Sequence, residues 1–418
     1  MIRRRVLLEG HHLTEREEKN LRLLELIRQR GPMTRTELSH GTGLNIVTVS
    51  NYVADFIKRG LVVERGFDVS TGGRKPMLVE LNAKAGYVIG VDLKPMGSAH
   101  TMTGIITDLR GTIIHQIGRR REVDSMEEVL GEGAEMIREL IKTSPIDSKK
   151  ILGMAMGVSG VVDERAGTVR DTSHQGMRTS YLAFQDQLEG EFKKPILIGN
   201  DATFAGYGEY RLGLDRSVEN MVYLYSDVGA SLIIHGHVYW GSCGSAGEVG
   251  VLLPSSEDYL TWIKSPSFVL SNVWDLGLPS QAKKFIHEGH ATSIQELAQG
   301  EIDAINLNMV IQAAQDGDQL ARELLEHAAM QLGIRIAYFV NLLNPEVVII
   351  GGGIEKAGSL LLEPVWRAVK KYAHEEMASL VDVLPAQLGE NGVALGAACW
   401  VIQDVFIQAE AIRSPLTT

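Results

Sequence analysis

The chain has 418 residues, of which 44% are hydrophobic and 22% are charged, so it is long enough to fold into two or three globular domains. No apolar run approaches the ~20 residues that a membrane-spanning helix needs, and the apolar stretch behind the first basic residues is too short for a signal peptide. Its two cysteines, Cys243 and Cys399, argue against a disulfide framework and a cysteine-rich zinc site, and they fit a reducing cytoplasm.

The charge is distributed unevenly along the chain. Residues 1–82 carry 14 Lys and Arg against 10 Asp and Glu, a net charge of +4, whereas the other residues carry 27 against 42, a net charge of −15. Together they give the net charge of −11 for the whole chain. A basic head on an acidic body indicates that the head meets a polyanion and that the body does not.

The head begins with two predicted helices. An apolar stripe at helical spacing predicts the first helix over Glu15–Arg30, and Gly31-Pro32 ends it. Thr34 and Glu37 have the spacing of a capping box, so a second, short helix is predicted over residues 34–40. A glycine-rich tight turn follows it.

The head ends with a third helix and a hairpin. We expect Asn45 to cap the third helix, over residues 46–59. Residues 61–65 and Met77–Leu81 are predicted to form two strands that a glycine-rich tip joins. A tight turn between the second and third helices, followed by a hairpin, predicts a winged helix-turn-helix DNA-binding domain over residues 1–82.

This head resembles a known type of DNA-binding domain. The run GLNIVTVSNYVADFIKRGLVVERG is similar to the pattern GLSxxTVSxxVxxLxxxGLVxExG of MarR-like and ROK repressor heads. The resemblance implies that the third helix lies in the major groove, where Asn can bond adenine and a Val or Thr methyl group can contact thymine. The residues expected to contact bases or phosphates are Arg35, Asn45, Val47, Thr48 and Asn51, with Arg74 and Lys75 on the wing.

Basic residues ahead of the first helix extend this prediction. Arg3, Arg4 and Arg5 would form an arm that adds salt-dependent affinity for DNA. The alternative for the whole head is a small helical domain for protein contacts, or a basic patch that is merely solvated. The combination of a wing with a recognition-helix pattern favours DNA binding.

Beyond the head, strands and helices alternate, which is typical of an α/β fold. Strands are predicted over residues 87–93, 101–109, 112–116 and 151–158, and a helix is predicted over residues 127–142. The first three of these strands are expected to form a meander. A largely apolar helix over residues 393–411 is expected to pack back onto the first part of the body.

The stretch that starts at Lys194, KPILIGNDATFAGYGEYRLG, joins a short buried strand to a polar pair and a helix. The polar pair is Asn200 and Asp201. Ligands of α/β proteins bind just outside the carboxyl end of a strand, and an Asp there can orient or deprotonate a substrate hydroxyl. The alternative is that the pair only caps the helix.

Four segments in the same order resemble the ROK family of repressors, open reading frames and kinases. The stretch above resembles its sugar-site segment ENDANAAALGE, and the others are GVSGVVDERAG, HVYWGSCGSAGEVG and NLLNPEVVIIGGGI. The resemblance covers the chain beyond residue 85. It implies an actin-like, ribonuclease H-like sugar-kinase fold with two α/β lobes, here residues 84–200 with 390–412 and residues 201–389. It also implies that Asp201 stands where the family has the base that acts on a sugar hydroxyl.

The loops that hold ATP in that family are largely altered. The first, normally DIGGTK, is DLKPMG here, and Pro95 removes a backbone donor from it. The second, normally GTGIG, is YSDVG, in which Asp227 would repel phosphate. Only Gly351-Gly352-Gly353 is retained, and it also suits a tight strand-to-helix turn. We therefore expect no bound ATP, no other cofactor and no enzymatic activity.

The sugar side is altered as well. The family pattern ExGH appears as EVGV from Glu248, so the His that contacts sugar, and zinc in members with the metal, is missing. The cysteine cluster that should follow is absent, and Thr261 stands where a sugar-binding Glu would be. We expect no metal site, a vestigial base in Asp201, and a ligand site formed by Asn200, Asp201 and Glu248.

The head and the body together predict a sequence-specific transcriptional regulator, a repressor of carbohydrate-related genes whose body binds a sugar or sugar phosphate. Its expected partners are a double-stranded operator and further copies of the chain, as a homodimer or a dimer of dimers, with no membrane contact and a cytoplasmic location. Two alternatives stay open. One is an ATP-dependent sugar kinase, of the glucokinase or N-acetylhexosamine kinase type, with an appended head. The other is a ligand-independent regulator whose body only dimerises or docks a transport protein.

Overall fold

The computed structural model describes residues 13–67, 77–93, 101–120, 123, 125–170, 178–225, 229–249 and 277–409. The chain forms two compact units. The first contains residues 1–158, 180–199 and 397–418, and the second contains residues 159–179 and 200–396. The head therefore belongs to the same compact unit as the first part of the body.

The head contains three helices and a small sheet, as predicted. The helices are α1 (Glu15–Arg30), α2 (Arg35–Thr42) and α3 (Ile46–Lys58), and the strands are β1 (Met33–Thr34), β2 (Val62–Phe67) and β3 (Met77–Leu81). β3 lies between β1 and β2 and pairs with both in the antiparallel direction. β1 is too short to leave a pattern in the sequence. The predicted tip of the wing lies outside the described residues.

Local sequence explains where the helices of the head begin and end. Thr14 and Glu17 form a capping box at the start of α1, and Thr34 and Glu37 form the predicted one at the start of α2. Gly43 ends α2 in the left-handed region, at φ 68°. The apolar sides of the three helices meet in a core that includes Leu23, Leu24, Ile27, Leu38, Val49, Val53 and Phe56.

The strands of the body alternate with helices, which confirms the α/β class. In chain order the strands are β4 (Tyr87–Asp92), β5 (Thr101–Asp108), β6 (Ile113–Arg120), β7 (Ile151–Val158), β8 (Val161–Asp163), β9 (Thr168–Arg170), β10 (Arg178–Ser180), β11 (Ile196–Asn200), β12 (Met221–Tyr225), β13 (Gly229–Ile234), β14 (His237–Val238), β15 (Val347–Gly351) and β16 (Asp382–Pro385).

Ten helices of the described residues belong to the body. They are α4 (Met126–Thr143), α5 (Leu182–Phe192), α6 (Asp201–Gly208), α7 (Leu278–His287), α8 (Ile294–Leu297), α9 (Leu307–Asp316), α10 (Gln319–Leu343), α11 (Ser359–Tyr372), α12 (Glu375–Ala378) and α13 (Gly392–Gln408). The predicted C-terminal helix is α13, which ends at Gln408 because Ala409 adopts a left-handed φ of 41°. The last two residues of the prediction, 410 and 411, lie outside the described part.

The sheet of the first unit has five strands in the order β11-β7-β4-β5-β6. β4, β5 and β6 form the predicted antiparallel meander, and β4 pairs with β7 in parallel. Both faces of β4 and nearly all of β7 are buried, as the continuous apolar runs of these strands predict. The carboxyl end of β11 is where the polar pair Asn200 and Asp201 begins α6.

The main sheet of the second unit has the order β14-β13-β12-β15-β16. β12 pairs with β15 in parallel and with β13 in the antiparallel direction. The long helix α10 is buried along one side by residues that include Leu325, Leu332 and Ile336, and these belong to the same apolar core as Val348 and Ile350 of β15.

The hairpin of β8 and β9 belongs to the second unit, whereas the predicted lobe boundary at residue 200 groups it with the first. Its contacts explain the grouping. The Ser245 hydroxyl donates to the Val162 carbonyl at 2.6 Å, and the Glu164 N–H donates to the Cys243 carbonyl at 3.1 Å. Residues that lie some 80 positions apart in the sequence are thereby joined, and no local pattern predicts such a link.

Candidate functional site

Two of the residues that were expected to face DNA, Val47 and Asn51, are exposed on α3, and Thr48 is half-buried there. Val47 is 65% exposed and Ile46 is 44% exposed, although both are apolar, whereas Val49 and Val53 are fully buried. Asn51, one turn beyond Val47, is also exposed. Apolar side chains that stay in solvent at the start of a recognition helix are suited to contact thymine methyl groups.

Asn45 and Thr48 are hydrogen-bonded to each other at the start of α3. The side-chain carbonyl of Asn45 accepts the N–H of Thr48 at 2.8 Å, so Asn45 is the N-cap of α3, as predicted. Its side-chain NH2 group remains on the exposed side. Asn45 therefore has a structural role that does not depend on DNA, and its DNA contact stays a prediction.

Arg35 has a partner within the head. Its guanidinium binds the Glu64 carboxylate of β2 at 2.5 Å, and both side chains are little more than a quarter exposed. A phosphate would have to share or displace this ion pair. Arg74, Lys75 and the arm residues Arg3, Arg4 and Arg5 lie outside the described residues.

The candidate ligand site of the second unit begins at the first residues of α6. Asn200 is the N-cap of α6: its side-chain oxygen accepts the Thr203 N–H at 2.9 Å, and its NH2 group donates to the Gly160 carbonyl at 3.1 Å. The capping role that the sequence offered as an alternative is thus met by Asn200. Asp201, the first helical residue, is 8% exposed and accepts the Ala202 N–H at 2.7 Å.

Glycines bring the surrounding elements close to Asp201. A Cβ atom at Gly206 of α6 would overlap Ser231 of β13, and one at Gly229 would lie 2.8 Å from the Ala202 Cβ. Gly247, at φ 99°, has no room for a side chain against the Ala230 carbonyl, and its own carbonyl accepts the Ala230 N–H at 2.7 Å. Glu248 follows directly, so the close approach of α6, β13 and this turn positions Glu248 relative to Asp201.

Asp201 and Arg170 both act electrostatically on Glu248. Although the Glu248 side chain still reaches solvent, desolvation and then the negative charge of Asp201 raise its pKa to about 7, while Arg170 acts in the opposite direction. The structure therefore brings Asp201 and Glu248 close enough for their charges to interact, whereas ligand binding by Asn200, Asp201 and Glu248 stays a prediction. It adds Arg170, at the end of β9, which sequence reasoning missed. Two carboxyl groups and a guanidinium group can together hold a polyhydroxyl compound through paired hydrogen bonds.

The glycine loop Gly351-Gly352-Gly353, which is retained from the family pattern, has an acidic side chain against its backbone. Gly352 and Gly353 have φ values of 90° and 105°, so backbone N–H groups could approach an anion. The Glu355 carboxylate accepts the Gly353 N–H at 2.7 Å, however, and burial raises the pKa of Glu355. The loop is capped by the chain's own acid, which argues against phosphate binding there. The sequence shows Glu355 only two residues from Gly353, so this cap had a local signal.

A further acid was missed in the sequence. Glu209 follows α6, is 1% exposed, and accepts the backbone N–H groups of Gln387 and Leu388 at 2.8–3.1 Å. Burial raises the pKa of Glu209, and these hydrogen bonds oppose the shift. A Cβ atom at Gly213 would overlap this carboxylate. Its partners lie 178 residues away in the chain, so only the structure reveals the contact.

Metal binding and membrane insertion find no support in the described residues. No group of three or more His, Cys, Asp or Glu side chains among them is placed to hold a metal ion. Val251 and Thr261, which were expected to replace the zinc and sugar ligands, lie outside this part, as do Pro95 and Asp227 of the altered ATP loops. Among the same residues no helix is both long and apolar enough to cross a membrane.

A helix-turn-helix head joined to a body with a sugar-kinase-like fold is typical of a transcriptional regulator. The model of the ROK family matches residues 88–263 and 287–404. The chain therefore belongs to the ROK family.

Curated relatives span nearly the whole chain. The xylose repressor of Caldicellulosiruptor bescii is 28% identical over 399 residues, which cover 95% of this chain and 98% of that protein. The xylose repressor of Bacillus subtilis strain 168 is 29% identical over 91% of this chain and 94% of its own length. The DNA-binding transcriptional dual regulator NagC of Escherichia coli K12 is 23% identical over 89% of each chain.

Solved structures show the fold. A ROK family transcriptional regulator, a homolog of the E. coli MLC protein, covers 96% of this chain and 99% of its own with a TM-score of 0.73 and 19% identity. A ROK family glucokinase from Streptomyces griseus, in complex with glucose and AMPPNP, covers 75% of this chain and 98% of its own with a TM-score of 0.62 and 22% identity. The regulator matches the chain including its head, and the kinase matches only a part the size of the body.

Proposed function

We propose that this chain is a DNA-binding transcriptional repressor of carbohydrate-related genes whose body binds a sugar effector. The observation that carries the proposal is the start of α3, where Val47 and Asn51 are exposed beside a fully buried helix face. The names of the full-length relatives support it. Because an operator for such a head is two-fold symmetric, the working form would be a homodimer in the cytoplasm.

Operator binding tests the first half of the proposal. The full chain is titrated against fluorescent duplexes from the region upstream of its own gene, with a random duplex as competitor. We expect one duplex to bind with a Kd of about 10 nM or tighter, and to lose affinity steeply with salt. Binding no better than to the random duplex at every segment would exclude a sequence-specific regulator.

A pair of variants connects binding to α3. Asn51→Ala removes an exposed amide from the recognition helix, and we expect operator affinity to fall about 5- to 100-fold, as for the loss of one good base contact. Gln29→Ala removes an exposed amide from α1, on the same small domain, and should leave the affinity unchanged. Equal losses in both variants would place the DNA surface elsewhere on the head.

The effector half rests on Asp201 and Glu248. D-xylose is the first probe because two of the relatives are named xylose repressors, and a panel of other neutral and phosphorylated sugars follows. Calorimetry on the full chain should detect binding by one of them, and that sugar should change operator affinity about 5- to 150-fold. Intact operator binding without a response to any sugar would favour the ligand-independent regulator.

The kinase alternative has one observation in its favour, the position of Asp201 at the end of β11, beside Glu248. Glu355 opposes it, because its carboxylate holds the Gly353 N–H that a phosphate would need. A coupled assay with ATP and the same sugar panel separates the two functions. Turnover that disappears in Asp201→Ala would establish the kinase, and its absence supports the regulator.

A further inference from the structure

The helix that begins at the candidate effector site is tied to the last helix of the chain. α6 starts with Asp201 and leads directly into Glu209, which is 1% exposed. The Glu209 carboxylate accepts N–H groups from Gln387 and Leu388, a few residues before α13 begins at Gly392. A buried carboxyl group that accepts two backbone N–H groups is a directional contact, so displacement of α6 is transmitted to the segment that leads into α13.

The same two helices also touch through their backbones. A Cβ atom at Gly396 of α13 would overlap the Phe204 carbonyl of α6, and one at Gly208 of α6 would lie 3.0 Å from the Gly392 oxygen and the Gly396 backbone. No side chain separates the helices at this point, so no change of rotamer can absorb a relative movement. Both contacts lie within the second unit.

The other end of α13 holds the head. The side-chain NH2 group of Asn20, on α1, donates to the Ile407 carbonyl at 3.1 Å, and Asn20 is 3% exposed. The Arg59 guanidinium, just after α3, donates to the Ala409 carbonyl. These contacts lie within the first unit. They occupy carbonyls at the C-terminal end of a helix, which have no acceptor role inside it.

α13 itself is continuous between these two sets of contacts. From Gly396 to Ile407 it contains no proline and no further glycine, so it spans about 16 Å as a regular helix. A regular helix of this length moves as a rigid body unless a proline, a glycine pair or a bulge interrupts it.

We propose that Glu209 is a positioning residue that couples effector binding at the start of α6 to the placement of the DNA-binding head through α13. The proposal rests on the proposed function for the identity of the two ligands. The coupling itself is a property of the free chain and can be measured without either ligand. Glu209 touches neither ligand, and its role is to keep α6 and the start of α13 together.

Amide hydrogen exchange of the full-length free protein is the first test. In Glu209→Gln, which loses one carboxylate oxygen, we expect faster exchange in residues 386–392 and also in residues 403–409 and α1. The control is Asp318→Asn, because Asp318 likewise accepts backbone N–H groups, of Ser293 and Ala321, in the second unit but away from α6 and α13. It should speed exchange only around its own contacts. Faster exchange confined to residues 386–392 in Glu209→Gln would overturn the proposal.

Linkage between the ligands is the second test. Wild type, Glu209→Gln and Asn20→Ala are compared for operator affinity, D-xylose affinity, and the ratio of operator affinities with and without saturating D-xylose. We expect both variants to keep each separate affinity within about 3-fold, while the ratio falls from the ~5- to 150-fold of a typical allosteric protein towards 1. A merely structural role would lower the separate affinities and leave the ratio unchanged, which contradicts the proposal.

The two tests separate the failure of this inference from that of the proposed function. If the wild type binds no operator or no sugar, the proposed function falls, and the exchange pattern still decides whether Glu209 couples α6 to the far end of α13. If Glu209→Gln does not fold, Asn20→Ala at the other end of α13 carries the same prediction for the affinity ratio.

Discussion

Two pairs of carboxylates in the second unit differ in what holds them. Glu209 and Glu355 accept backbone N–H groups: Glu209 those of Gln387 and Leu388, and Glu355 that of Gly353. Of the other pair, Asp201 accepts the N–H of the residue that follows it, and Glu248 makes no side-chain hydrogen bond to any residue that the structure describes. Glu209 and Glu355 therefore hold backbone groups in place, whereas Glu248 makes no such contact among the described residues.

Electrostatics alone does not distinguish the two pairs. Burial raises the pKa of Glu209, of Glu355 and of Glu248. The difference lies in hydrogen bonding, because Glu209 and Glu355 accept backbone N–H groups, whereas Glu248 accepts none from the described residues. The Glu355 contact thus gives the glycine loop of this ROK body a structural role, and sugar binding beside Glu248 stays a prediction.

The largest expected effect is that of Glu209 on the free energy of unfolding. Glu209→Ala removes a buried side chain and leaves the N–H groups of Gln387 and Leu388 without their acceptor, so we expect the free energy of unfolding to fall by about 2–3 kcal/mol. Glu248→Ala should change it by less than about 1 kcal/mol, since Glu248 is exposed and accepts no N–H group from the described residues. Urea denaturation of the full chain measures both.

A control variant shows whether the loss of stability is specific to a buried carboxylate. Glu326→Ala removes a carboxylate of the same unit from an exposed ion pair with Arg367, whose partners are more than half exposed, and should cost no more than about 0.5 kcal/mol. A loss in Glu209→Ala no larger than in Glu326→Ala would mean that the two pairs of carboxylates do not differ as argued.

Some contacts of the chain could be predicted from its sequence and others could not, and distance along the chain explains why. The capping box of Thr34 and Glu37 and the strand Ile151–Val158 depend on neighbouring residues, so both were predicted and both were confirmed. Asn200 and Asp201 were placed at the start of a helix for the same reason. Glu209 binds residues 178 positions away, and Arg170 comes to Glu248 through a separate hairpin, so neither leaves a local pattern.

The second prediction concerns effector affinity. Asp201→Ala removes a carboxylate that would accept hydrogen bonds from sugar hydroxyls, which are worth about 1.5–3 kcal/mol when one partner is charged, so D-xylose affinity should fall roughly 10- to 100-fold. Glu355→Gln is the control, because its carboxylate serves the glycine loop. Calorimetry on both variants, with operator affinity measured in parallel, checks the result. An equal loss in both would show that the glycine-loop side also binds the sugar.

The third prediction concerns pH. The pKa of Glu248 is about 7 in the folded protein, above the ordinary value of 4.5, so the folded state binds its proton more tightly than the unfolded state. Its contribution to stability therefore decreases as pH rises from 4.5 to 7 and stays reduced above 7. Because Glu248 reaches solvent, we expect only a small effect: Glu248→Gln should raise the Tm by roughly 1–2 °C at pH 8, with a smaller gain at pH 5.5. Thermal scans at the two pH values test the sign, and a larger gain at pH 5.5 would contradict it.

The smallest expected effect tests the nucleotide side. Glu355→Ser frees the Gly353 N–H from its carboxylate cap, yet we expect calorimetry to detect no binding of ATP with Mg²⁺ up to millimolar concentration. One donor provides too little affinity where a nucleotide needs several phosphate contacts. The sequence supplies neither of the other two glycine loops, since Pro95 and Asp227 interrupt them. Binding of ATP at micromolar concentration by this variant alone would show that a single carboxylate had closed an otherwise competent site. In that case the glycine-loop side would be an inhibited nucleotide site and not a structural one.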